Sequence, residues 1–241
     1  MRKALWLAVV MTVMDITSLS AQSVHPHFTH AARTSRPCAA DLEHCPNTGC
    51  GGGDILLNQK KNLLTIPSSY EVTTFDDFRH LQEESPHTWM EGQPRHEVEQ
   101  LGEGTPVMLT GYLYGAHSGS PETCNCNLQG EENNDYHLNI IEHDSDPQTA
   151  SIVVEMTPKF RKTKPDWTLA TIDALPGAPG RQHPLVRISG YLLFDSEHVS
   201  RSGGERATIW EIHPVTKMEL CPTGTCKSDT DEGWREIGGS P

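Results

Sequence analysis

Residues 107–113 read VMLTGYL, and residues 186–192 return to the same pattern as VRISGYL. Six of the seven paired positions are identical or chemically close. Apolar residues that alternate with others predict β-strands, and a glycine inside a strand allows the bend or bulge that a closed sheet needs. The two stretches therefore predict strands of one strongly curved sheet, bent at Gly111 and Gly190.

Further stretches of the chain complete this sheet. Strands are predicted at 106–114, 135–141, 151–157, 185–195 and 206–220. A helix is predicted at 165–175, with Leu169 and Ile172 near one face and Pro176 ending it. This order is the connectivity of the OB-fold, a five-stranded Greek-key barrel, so the fold class is mainly β with a helix between strands three and four. A sandwich or a mixed sheet is the alternative.

The same half of the chain resembles a known group of proteins. The stretches concerned are DYHL at 135–138, SIVVEMTP at 151–158, GYLLFDSEH at 190–198 and ATIWEIHPVTK at 207–217. They are similar to an uncharacterised group of secreted bacterial proteins with an OB-fold-like barrel. The resemblance covers about the C-terminal half and implies the fold without naming an activity.

The start of the chain has the composition of an export signal. Arg2 and Lys3 precede an apolar run at 4–14, and small residues follow at 18–21. This pattern predicts a signal peptide at 1–21 and a periplasmic or secreted protein, with an uncleaved anchor as the alternative. The apolar run is shorter than the ~20 residues that cross a bilayer, so no stable membrane insertion is expected after cleavage.

The remaining chain divides by composition. We predict a flexible leader and a Cys-rich, partly helical extension at 22–104, the barrel at 105–221 and a C-terminal tail at 222–241. Short helices are expected after Asp54 and over 73–81.

The chain has seven cysteines, an odd number, so one thiol is left over or pairs between molecules. In an exported protein they favour disulfides, among them a small loop closed by Cys221 and Cys226. Cys124 and Cys126 are expected to pair with cysteines elsewhere in the chain. The alternative for the N-terminal group is a zinc site made of Cys38, Cys45, Cys50 and His44.

Polar residues on the predicted strands suggest a possible metal site. The candidate ligands are His137, Glu155, His198 and His213. Asp135, His137 and Asn139 share one face of a strand, and Glu211 and His213 share another. Imidazole and carboxylate groups suit zinc or manganese, which could activate water for hydrolysis. The alternative is that these side chains only hydrogen-bond loops at the barrel mouth.

The leading functional prediction is a non-catalytic exported binding module without a cofactor. Analogy to other OB-folds suggests single-stranded nucleic acid or a glycan as its ligand. The candidate ligand-binding residues are Tyr112, Tyr136, Lys159, Arg161, Tyr191 and Trp210. The net charge of −13 opposes non-specific attraction to nucleic acid or anionic lipid. The alternative function is a metal-dependent hydrolase, with a nuclease as one form. The oligomeric state is left open.

Overall fold

The computed structural model describes residues 36–201 and 206–238. The predicted signal peptide and nearly all of the predicted leader fall on residues 1–35, outside this range. The described residues group into one compact unit, so the Cys-rich extension packs with the barrel.

Five strands form the barrel, as predicted. They are β2 Pro106–Ser118, β3 Tyr136–Ile141, β4 Ile152–Met156, β5 Leu185–Phe194 and β6 Trp210–Leu220, preceded by a short β1 Glu71–Thr73 and followed by β7 Arg235–Glu236. The order around the barrel is β2-β3-β4-β6-β5, and β5 pairs with β2 to close it. All these pairs are antiparallel except β4 with β6, which meet in parallel. The mainly β, OB-fold-like class is therefore confirmed.

Short helices surround the barrel. They are α1 Ile55–Lys61, α2 Phe75–Glu84, α3 His96–Gln100, α4 Pro158–Arg161 and α5 Leu169–Asp173. Asp54 caps α1 by accepting hydrogen bonds from the amides of Leu56 and Leu57, which confirms the helix predicted there. The helix predicted at 165–175 is also present, between β4 and β5. It is shorter than predicted because Thr168 caps the start of α5.

The two predicted bend glycines act differently. At Gly190 the pairing of β5 with β6 shifts register, and an added Cβ would lie 2.4 Å from the carbonyl oxygen of Pro214. Gly111 lies in regular pairing, and a Cβ there would lie 2.6 Å from Cγ2 of Ile140. The irregularity of β2 lies instead between Leu113 and Gly115, where its register with β3 shifts. Gly111 is thus required for close packing, whereas the bulge comes later.

The strands carry the hydrophobic core on their inner face. Leu138, Ile140, Val154 and Ile212 all belong to the core cluster and are fully buried. Because side chains alternate along a strand, the residues between them point to the outer face of the barrel.

Six cysteines form disulfides, Cys38–Cys50, Cys45–Cys126 and Cys221–Cys226, and Cys124 is a free, buried thiol. The small C-terminal loop is therefore confirmed. The predicted zinc alternative is wrong, because the sulfurs of all three of its cysteines are bonded to other sulfurs. Cys126 does pair elsewhere, with the extension, and Cys124 is the thiol left over. Within the described ranges, no helix has the length and apolar character needed to cross a membrane.

Candidate metal centre

A polar cluster lies on the outer face of β3, β4 and β6. His137 on β3 pairs in register with Glu155 on β4, and Val154 pairs with Ile212 on β6. Leu138, Val154 and Ile212 point into the core. The residues next to them along each strand therefore point to the outer face of the barrel. The cluster thus lies on the outer wall of the barrel, whereas the sequence-based alternative placed these side chains at the barrel mouth.

The bulge in β2 brings a second histidine to this face. Before the bulge, Leu109 and Leu113 point into the core, whereas after it Ala116 packs against the core. This change of phase turns His117 outward, where it pairs with His137 with ring centroids 5.3 Å apart. A single extra residue in a strand is a known way to re-aim a side chain.

The extension and the loop after β2 cover the cluster. Lys61 of α1 is buried, and its Nζ lies 2.7 Å from Oε2 of Glu122 in that loop. The disulfide Cys45–Cys126 joins the loop to the extension. Charged side chains on the outer face of the barrel are therefore removed from solvent.

Three overlapping groups of donors result among the described residues, and two of them contain a histidine. The outer group is Glu122, His137 and Glu155, and the inner group is Asp135, Glu155 and His213. In each group, one donor atom from every residue lies within 4.8 Å of the others. Imidazole nitrogen and carboxylate oxygen are common ligands of zinc. Each group could thus hold a divalent ion.

The outer group borders a cavity of about 500 Å³. The cavity wall includes His117, Asn139, Gln148, Glu197, His198 and Arg206 beside the outer group itself. The inner group is more enclosed, since Asp135 and His213 have no exposed surface. The outer group is thus the one that a substrate could reach.

Histidines and carboxylates of the cluster hold each other in charged forms. Burial alone would raise the pKa of Glu155, but the charges of His137 and His213 hold it well below its usual range. Burial alone would lower the pKa of His213, yet the charge and hydrogen bond of Glu155 raise it to about 10. Its Nδ1 also donates to Oε1 of Glu211 over 3.2 Å.

Burial shifts two other groups of the cluster toward their neutral forms. Burial raises the pKa of Asp135 to about 6, and the charge of Glu122 acts in the same direction. Burial also raises the pKa of the Cys124 thiol well above its usual range.

Three of the four predicted metal ligands come together, namely His137, Glu155 and His213. His198 lines the same cavity, but its Nδ1 is hydrogen-bonded to Asp195, which also accepts from Arg206 over 2.6 Å. Among the described residues, His198 belongs to no group of three donors. Sequence reasoning missed Glu122 and Lys61 as members of the site.

The predicted ligand-binding residues do not form one surface. Trp210 is buried in the core, and Tyr136 is nearly so, although Tyr136 and Arg161 both border one groove on the surface. Arg161 stacks on Tyr136 with its Cζ 3.4 Å from the ring centre, and it donates to the carbonyl oxygen of Asn134. Lys159 donates to the carbonyl oxygen of Cys45.

The other two tyrosine candidates, Tyr112 and Tyr191, are half-buried. Tyr112 lies under Arg181, and the hydroxyl of Tyr191 donates to the carbonyl oxygen of Thr65. They lie on different strands, β2 and β5, and neither lines the cavity of the outer group.

No protein-family model matches the chain, and no curated protein is found to be similar to it. The resemblance to a group of secreted bacterial proteins stays a prediction.

Proposed function

We propose that this chain is a metal-dependent hydrolase whose divalent ion is bound by Glu122, His137 and Glu155. One observation supports the proposal: these three donors meet within 4.8 Å at the wall of an open cavity. Catalytic metal sites in proteins characteristically use three protein ligands and leave a position open for water or substrate.

The bound ion would supply the chemistry of the reaction. A divalent ion with an open position lowers the pKa of its bound water and polarises the oxygen of an ester or phosphoryl group. His117 lies beside His137 at the same cavity, where it can accept or donate a proton. Lys61 keeps Glu122 in place through its 2.7 Å ion pair.

The cavity lining favours small polar substrates. Asn139, Gln148, Ser118 and Ser120 offer neutral hydrogen-bonding groups around the metal ligands. The negative charge of the chain opposes binding to a long nucleic-acid backbone, so we favour a small ester over a nuclease substrate.

The test begins with protein that carries no His tag, is stripped by a chelator and is then dialysed against Zn²⁺ or Mn²⁺. We expect bound metal and hydrolysis of p-nitrophenyl acetate or bis-p-nitrophenyl phosphate, both lost on chelation. His137→Ala should abolish this hydrolysis. His80→Ala is the matched control, because His80 is an exposed histidine on α2, far along the chain from the cluster.

Either of two results would overturn the proposal. One is wild-type protein that retains no metal after dialysis. The other is metal and hydrolysis that are unchanged in His137→Ala.

A second candidate is the non-catalytic binding module. A groove of about 450 Å³ supports it, lined by Lys162, Lys164 and Trp167 among others. The two lysines belong to the basic stretch after β4 and suit the backbone of single-stranded nucleic acid, although Glu131 and Glu132 line the same groove. Titration of a labelled oligothymidylate at low salt tests it, and undetectable binding there would remove nucleic acid as the ligand.

We also propose that the protein works in the periplasm or outside the cell. Three disulfides support this location, because such bonds persist in oxidising compartments.

A further inference from the structure

Glu155 directs its two carboxylate oxygens toward two different histidines. Oε1 lies 3.5 Å from Nδ1 of His137, and Oε2 lies 3.0 Å from Nδ1 of His213. His137 belongs to the outer group and His213 to the inner group. One carboxylate thus connects both sets of donors, one oxygen on each side.

The inner group contains buried polar atoms that lack partners. Asp135 and His213 are both fully buried. Oδ1 of Asp135 and Nε2 of His213 have no hydrogen-bond partner among the described residues. Native proteins leave few such atoms unpaired, because burying an unpaired polar group costs free energy. These two atoms therefore point to a missing ligand.

The charge around the cluster points the same way. Six linked carboxylates stand there against two permanent cations, Lys61 and Arg206, among the described residues. The carboxylates are Glu122, Asp135, Glu155, Asp195, Glu197 and Glu211. Buried negative charge in excess of its partners is destabilising. A divalent cation offsets it more effectively than a histidine proton does, since it carries two charges.

We propose that the inner group, Asp135, Glu155 and His213, binds a second divalent cation, with Glu155 bridging the two ions. This inference rests on the proposed function, because the outer group supplies the first ion. Paired ions of this kind stabilise both the attacking and the leaving oxygen of a displacement. With a second ion bound, the inner group would take part in catalysis as well as in stabilising the fold.

Metal counting on four proteins tests the proposal. Wild type, His137→Ala, Asp135→Asn and Glu155→Gln are stripped, dialysed against Zn²⁺ and analysed for metal per chain. We expect two equivalents in wild type, one in His137→Ala, one in Asp135→Asn and none in Glu155→Gln. Asp135→Asn keeps the shape of the side chain, and circular dichroism checks its folding.

The outcomes separate this inference from the proposed function. One equivalent in wild type, lost in His137→Ala and kept in Asp135→Asn, overturns the second site and leaves the hydrolase proposal standing. One equivalent that is lost in Asp135→Asn and kept in His137→Ala supports the inner site and overturns the proposed function. No metal in wild type overturns both.

A measurement on wild type alone covers the case in which Asp135→Asn does not fold. Mn²⁺ added to two equivalents should give the exchange-coupled electron paramagnetic resonance spectrum of a bridged pair. The six-line spectrum of isolated Mn²⁺ at two equivalents overturns the bridge.

Discussion

A methyl group on Gly119 would lie 2.6 Å from Nε2 of His137. That nitrogen has no hydrogen-bond partner among the described residues, and Gly119 lines the same cavity. The absence of a side chain at Gly119 therefore leaves room beside this buried nitrogen of His137.

We accordingly expect Gly119→Ala to weaken Zn²⁺ binding by at least tenfold, because the methyl group occupies the space beside the nitrogen. Isothermal titration of metal-free protein with Zn²⁺ measures the effect. Gly115→Ala is the matched control, since a Cβ there has no atom within 4 Å and affinity should be unchanged. Equal affinities in the two variants would show that Nε2 takes no part in binding.

The bridge between Cys45 and Cys126 should contribute more to stability than the bridge between Cys221 and Cys226. The first joins residues 81 apart and the second residues 5 apart. Loop-closure entropy then favours the longer bridge by about 2.5 kcal/mol. Urea unfolding of the two double Cys→Ser variants measures the difference. Equal losses would contradict the prediction.

The same bridge should also matter for metal binding. It holds the loop that carries Glu122, so the Cys45→Ser, Cys126→Ser variant should bind Zn²⁺ more weakly than wild type. The Cys221→Ser, Cys226→Ser variant should not, because that loop contributes no donor to either group.

The ion pair of Arg187 with Glu219 should make stability depend on pH in the acid range. Burial alone would raise the pKa of Glu219, but hydrogen bonds from Arg187 and Lys217 hold it below its usual value. A carboxyl with a lowered pKa in the folded state stabilises the protein above its unfolded pKa of ~4.3. That contribution is lost as the pH falls through the lowered pKa.

Unfolding midpoints of wild type and Glu219→Gln between pH 7 and pH 3 check this. The advantage of wild type should be constant at neutral pH and shrink below about pH 4. Glu232→Gln, which alters an exposed carboxylate, is the control and should show a smaller change. A constant gap between wild type and Glu219→Gln down to pH 3 would refute the ion-pair account.

Gly190→Ala should destabilise the barrel by about 1–3 kcal/mol through overpacking. The new methyl group would meet backbone atoms of Pro214 and Val215, which cannot rotate away as a side chain can. Urea unfolding measures the loss, and Gly115→Ala again serves as the control. If Gly190→Ala lowers the free energy of unfolding no more than Gly115→Ala does, β5 and β6 can move apart at little cost, and the overpacking prediction is wrong.

The sequence predicted the barrel because alternation and strand glycines are local signals. The same alternation placed His137 with Asp135, and Glu211 with His213, on shared faces. It also placed Tyr136 in phase with Leu138 and Ile140, which marks a core position. Trp210 stands in phase with Ile212 in the same way, so the burial of both rings could have been read from the sequence.

Other parts of the site could not be predicted from local patterns. Glu122 and Lys61 are 61 residues apart and meet only because the extension packs over the barrel wall. His117 lies on the outer face only because β2 changes phase between Leu113 and Gly115. His198 falls outside the donor groups of the described residues, and its Nδ1 contacts Asp195 because of how the chain folds back after β5.

The sheet of the barrel separates the hydrophobic core on its inner face from the donor cluster on its outer face. Exchanges among Leu138, Val154 and Ile212 alter how tightly the interior is filled and hence the free energy of unfolding. The spacing of the metal donors on the outer face is set by the hydrogen bonds between strands. These bonds do not depend on which aliphatic side chain fills the core. Substitutions in the core can therefore raise the stability of this protein while separate substitutions on the outer face change its metal chemistry.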